Sequence, residues 1–281
     1  MGVGSQIESN KEHLIANNFV PTGEFKQSDG FNFIFRACKQ CNDEKSDWER
    51  HLSTITLLNS PARKSSEQHN RLALQKAERD FHPTKQGVLV KDSGDEFKVG
   101  AQFGQANISF GISAPPQADI RYIDFLAIRH IQGIFSLITS ENPLTINGSS
   151  FLHYKYIFVF RSYAISDWGN PELMEIMKRV NDIPCYANIK TANGFFKVIM
   201  RRIKGDACEW FWALEWNKSL RIIGGISQGE KISEIFSDLP TLDWNNLGIQ
   251  NGEKIRMRKE VEINIDEDIL FEAEVENTEN N

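Results

Sequence analysis

Apolar positions alternate with polar ones over FNFIFRAC (31–38), and Leu14, Ile15, Phe19 and Val20 lie ahead of it. This pattern predicts two short strands joined by a loop. From Asn42 to about Leu58 the period changes, with Trp48, Leu52, Ile55 and Leu58 spaced for one buried helical face. Asn42 suits the N-cap of that helix, and Asp43 and Glu44 suit its first turn. A second helix is predicted over 65–81, capped by Ser65 or Ser66, packed through Leu72 and Leu74, and stopped by His82-Pro83.

Beyond Gly87 the pattern predicts strands over 87–92, 96–103 and 107–112, separated by Gly and Asp turns, then a long helix over 118–139. Ile123, Leu126, Ala127, His130, Ile131, Ile134, Phe135 and Ile138 form a wide apolar stripe on it, with His130 as a satisfied core histidine. A strand over 153–163, a helix over 171–183 opened by Pro171, and four strands near 186–190, 195–203, 208–216 and 219–225 complete the pattern. Antiparallel strands around one long helix predict an α+β fold. The expected division is a strand-strand-helix module over 1–60, a connector helix over 61–84, a mostly antiparallel α+β domain over 85–259 and an acidic tail over 260–281.

Composition adds little until charge is placed along the chain. The formal net charge is −6, but residues 260–281 hold nine acids and no base, so the preceding residues carry 32 basic against 29 acidic side chains, a net of +3. Residues 1–83 carry eleven of each sign, which argues against tight non-specific DNA binding by that part alone. No run of apolar residues is long enough for a membrane span, and the N-terminus lacks the apolar core of a secretion signal. Four cysteines without a regular framework fit a reducing cytoplasm, with Cys185 and Cys208 as buried free thiols.

The residues suited to chemistry fall in order within the first sixty: Glu12-His13, then Asn32 nineteen residues after His13, then Cys38-Lys-Gln-Cys41-Asn42-Asp-Glu-Lys45. This ordered set over roughly residues 8–58 resembles the HNH endonuclease family, whose ββα-metal module carries an acid-His pair on its first strand, an Asn in the loop and a CxxC[NH]xxK run at its helix start. The resemblance implies a metal-dependent nuclease acting on DNA and leaving 5′-phosphate and 3′-hydroxyl ends. It makes His13 the general base and Asn32 the group that orients the imidazole. It makes Glu12 and Asn42 the ligands of Mg²⁺ or a similar divalent cation. Lys45 would face the phosphate. This chain departs from the family pattern in having Glu where Asp is commoner, no Gly-Gly in the loop and no second Cys pair ahead of Glu12.

The chemistry suits these residue types. A neutral imidazole can take a proton from water near pH 7, and a hard cation on oxygen ligands can neutralise a phosphate. Cys38 and Cys41 have the spacing of half a zinc site, with His51 and His69 as the available complement, and a structural Zn²⁺ is not expected. Lys197, Arg201, Arg202 and Lys204 beside Trp210, Phe211, Trp212 and Trp216 read as sheet core before they read as a base-stacking surface. The KIRMRK run (254–259) could pair with the acidic tail, or the tail could compete with DNA for it. Arg71, Lys76 and Arg79 offer the connector helix a DNA-contacting role beside its expected one as a buttress. The competing reading of the whole chain is a non-catalytic nucleic-acid- or protein-binding protein that keeps a degenerate module. A homodimer or an activating partner would engage the C-terminal domain.

Overall fold

In the computed structural model, residues 9–26, 30–139, 154–205, 209–226, 229–241, 243–250 and 253–272 are described. In chain order the elements are β1 (Ser9–His13), β2 (Ile34–Cys38), α1 (Lys39–Leu58), α2 (Ala62–Ser65) and α3 (Glu67–Ala77). Next come β3 (Glu96–Phe103), β4 (Ala106–Ser113), α4 (Ile120–Thr139), β5 (Ile157–Ala164) and α5 (Pro171–Asn181). The remainder is β6 (Cys185–Thr191), β7 (Phe196–Ile203), β8 (Glu209–Trp216), β9 (Leu220–Ile226), α6 (Glu230–Ile235), β10 (Trp244–Gln250) and β11 (Glu253–Arg258). The class is α+β, with a five-stranded antiparallel sheet in the order β5-β9-β8-β7-β6.

Strand β8 organises this sheet because every residue in it is buried. Side chains alternate between faces, so Trp210, Trp212, Leu214 and Trp216 join one apolar cluster while Phe211 and Ala213 join the other. These aromatics are interior, as the sheet-core reading has them, and present no face on which bases could stack. Trp212 lies across β9 at Gly224, where a Cβ would collide with its ring and with the Phe158 carbonyl. Leu14, Phe19, Leu52, Leu126 and Ile131 cover the first face, and Leu173, Ile176, Ile232 and Leu270 cover the second.

Packing crosses the boundary drawn at residue 60. The Asn217 amide in the β8–β9 turn donates to the Phe19 carbonyl at 3.0 Å and to Thr56 Oγ1 at 2.8 Å, while Ser219 Oγ donates to the Thr56 carbonyl at 2.7 Å. The N-terminal strands and helix thus share one core with the large sheet.

Several expected elements differ. The strand over 87–92 is replaced by a single Phe81–Leu89 bridge and a 3-10 turn at Val90–Asp92, with Gly87 at a positive φ of 73°. The helix over 65–81 breaks at Ser66, whose hydroxyl caps α3 by accepting from the His69 N–H. Lys76 on α3 donates to the Asn18 carbonyl and to Ser53 Oγ, both at 2.7 Å, which is a buttressing contact. The KIRMRK run lies largely in β11, and its Arg258 pairs with Asp167 at 2.5 Å. Residues 260–272 fold against the sheet: Asp268 meets Arg221, and the carbonyls of Phe271 and Glu272 accept from Asn188 and Arg201. Cys208, His153 and residues 273–281 lie outside the described residues. No described helix is long and apolar enough to cross a membrane.

Candidate active site

Strands β1 and β2 pair antiparallel, with Glu12 opposite Phe35 and His13 opposite Ile34, and β2 runs without a break into α1. The helix starts earlier than its sequence suggests. Cys38 is the N-cap, its Sγ accepting from the Cys41 N–H at 3.2 Å, so Asn42 sits inside the helix rather than at its cap. The contact with the Cys38 thiol, followed by burial, pushes the Cys41 thiol pKa up.

Lys45, one turn after Asn42, is only 4% exposed. Its ammonium donates to Glu12 Oε1 at 2.8 Å, to Glu49 Oε1 at 2.9 Å and to the His13 carbonyl at 3.1 Å. Three donors meet three acceptors, so no proton is left to face a phosphate, and that expected role for Lys45 is corrected. Glu49 Oε1 also accepts from the Ala16 N–H at 2.9 Å and lies 3.6 Å from Nε2 of the fully buried His130. That last separation is an ion-pair distance, too long for a hydrogen bond. Burial alone would raise the Glu49 carboxyl, but His130 and then Lys45 outweigh it and hold the group below its ordinary range. Burial pushes the His130 imidazole down, with Glu49 opposing. Both His130 ring nitrogens lack a hydrogen-bond partner, so the core histidine is not the satisfied one expected. Its neighbours are the edges and faces of Phe19, Phe196 and Trp216.

Asn32 Nδ2 donates to the Ile15 carbonyl at 2.6 Å, and its Oδ1 accepts from the Ile15 N–H at 3.3 Å. The carboxamide therefore grips the backbone two residues past His13 and does not orient the imidazole directly. His13 is half-buried, and Asn42 Oδ1 is shielded from solvent with no hydrogen-bond partner. Lys45 ties the Glu12 carboxylate and the His13 carbonyl to α1, and Asn42 lies three residues earlier on the same side of that helix.

Neither histidine complements the cysteine pair. His51 is ten residues beyond Cys41 on a continuous helix, a rise of about 15 Å. His69 Nε2 instead meets Glu24 Oε1 at 3.1 Å. Among the described residues no group of three or more His, Cys, Asp or Glu side chains could hold a metal ion.

No family model matches the chain, and neither does any curated protein or solved structure.

Glu49 and His130 were not singled out from the sequence for this site. Glu49 lies four residues after Lys45 and three before Leu52, on the side of α1 that is buried, and an acid on an apolar face is the signal that would have found it. His130 needed α4 to be placed against α1, which no local pattern reveals.

Proposed function

We propose that this chain is a metal-dependent endonuclease of HNH type that hydrolyses phosphodiester bonds of DNA. The observation that supports this reading is that Lys45 ties the Glu12 carboxylate and the His13 backbone carbonyl to the first turns of α1, where Asn42, one turn before Lys45, has an unpartnered, shielded oxygen. That orphaned oxygen and a carboxylate are donors of the kind a hard cation takes, so the residues fit Mg²⁺ or a similar ion, held by Glu12 and Asn42. Such an ion, when bound, neutralises charge on the scissile phosphate. His13, half-buried and not desolvated outright, accepts the proton of the attacking water. Asn32 acts as a positioning residue: it fixes the loop at Ile15 and so the angle at which His13 leaves β1.

The test is nicking of supercoiled plasmid with Mg²⁺ by the wild type and by His13→Ala, together with calorimetric titration of Mn²⁺ into the wild type and Glu12→Gln. The proposal expects nicking that disappears in His13→Ala and Mn²⁺ binding that weakens in Glu12→Gln. Equal cutting by both proteins excludes His13 as the base.

A second reading has its own observation. Lys45 already neutralises Glu12 within a buried network that includes Glu49, the arrangement of a structural lock and not of a waiting ligand. A non-catalytic module of this kind would bind no Mn²⁺ and nick no plasmid, with the fold unchanged in Glu12→Gln.

A further inference from the structure

Among the described residues, strand β4 presents an unpaired edge and a row of exposed apolar side chains. It pairs with β3 on one side, β3 lies against β10, and among the described residues no strand pairs with the outer edge of β4. Ile108, Phe110 and Ile112 are 41%, 49% and 45% exposed, and their Cα partners on β3 are Ala101, Val99 and Phe97. A two-stranded hairpin with an uncovered apolar face is marginal alone in water. The eight residues of β4, ANISFGIS, contain no charge and no proline, the usual devices that keep an edge from pairing.

We propose that β4 is the seam of a two-fold symmetric dimer, pairing antiparallel with β4 of a second copy to form one four-stranded sheet. The strand is self-complementary about Phe110. In the run Ile108-Ser109-Phe110-Gly111-Ile112, an antiparallel pairing centred on the two-fold axis sets Phe110 against Phe110, Ile108 against Ile112 and Ser109 against Gly111. Large faces large and small faces small, and no like charges meet across the axis. A nucleic acid is the poorer occupant, because this strand offers no cation to a phosphate. The inference does not depend on the nuclease reading.

Sedimentation equilibrium across the micromolar range decides it, with far-UV circular dichroism to confirm that each variant is folded. The wild type sediments as a dimer. Phe110→Lys places two like charges opposite each other and removes two Phe side chains from the seam, raising the dimer dissociation constant about 100-fold or more. Ile108→Lys and Ile112→Glu each weaken the dimer alone. The double variant I108K/I112E restores it, because each substituted position then faces its opposite charge in the other copy. A wild type that stays monomeric throughout overturns the proposal, since some other part of the chain then covers β4 or nothing does. A dimer indifferent to Phe110→Lys also overturns it by placing the interface elsewhere, and failure of the double variant to recover overturns the register.

Discussion

Two buried charge networks lie on opposite sides of the large sheet, and they are finished to different degrees. On one side Arg221 is closed off. Its Nε and Nη2 donate to Glu215 Oε2 at 3.0 and 2.9 Å, its Nη1 and Nη2 reach the two Asp268 oxygens at 2.8 and 2.6 Å, and its guanidinium stacks 3.7 Å over Trp168. Lys197 takes the remaining Glu215 oxygen at 2.8 Å. On the other side Lys45 is saturated by Glu12, Glu49 and the His13 carbonyl, yet Asn42 Oδ1 and both nitrogens of His130 have no partner. A satisfied network holds a fold together, whereas each orphaned buried polar atom needs a reason, whether strain, a water, an ion or a chemical role. The first network straps residues 260–272 to the sheet, and the second sits where the proposed chemistry is.

The largest effect expected from this contrast belongs to the closed network. Arg221→Met leaves Glu215 and Asp268 facing each other around an apolar side chain, and breaking such a pair by removing one partner costs about 3–5 kcal/mol. Urea unfolding of the variant against the wild type measures it. A loss below about 1 kcal/mol would mean that the strap is dispensable and that the two networks differ only on paper.

Next in size is an acid sensitivity that belongs to the N-terminal side. His51 on α1 is buried with both nitrogens unpaired, packed edge-on against His82 and Tyr122. Burial, then the neighbouring His82, pushes its pKa from the ordinary 6.5 down to about 4, with Asp119 opposing. The unfolded ring takes up its proton first as pH falls, so this contribution is complete above about pH 6.5 and is lost progressively toward pH 4. The gap sets a ceiling of about 3 kcal/mol on the His51 share of the acid destabilisation. Urea midpoints measured from pH 7 to pH 4.5 should fall in the wild type and fall less steeply in His51→Phe. Parallel slopes would show that the ring is not held neutral by burial.

How much of this was readable from the chain depends on the range over which each feature is determined. The strands near 186–190, 195–203, 208–216 and 219–225 were legible because alternation and turn residues act within a few positions, and the structure has β6 to β9 there. The hairpin of β10 and β11 was not, since WNNLGIQ and EKIRMR are too polar to show a buried face. The start of α1 was misplaced because Asn42 is the better cap by type, while the Cys38 thiol occupies that position in the fold. At the site, Glu12, His13, Asn32 and Asn42 could be named from order and spacing. The neutralisation of Glu12 could not, because the cation responsible is 33 residues away and a lysine in a charged run reads as solvated. Burial of a charge is a tertiary fact, and so is the placement of α4 that sets His130 beside Glu49.

The smallest expected effect is the sharpest separation of the two networks. In the closed one, each polar atom removed strands a partner. Asn42 Oδ1 has no partner to strand, so Asn42→Ala removes a desolvated oxygen that no protein group compensates, and stability should change by about 0.5 kcal/mol or less. If that oxygen exists for a cation, the same substitution should abolish calorimetric Mn²⁺ binding while the urea midpoint stays put. A variant that unfolds early and binds the ion as before would make Asn42 a packing residue of α1, and the open network would then be open for no ligand at all.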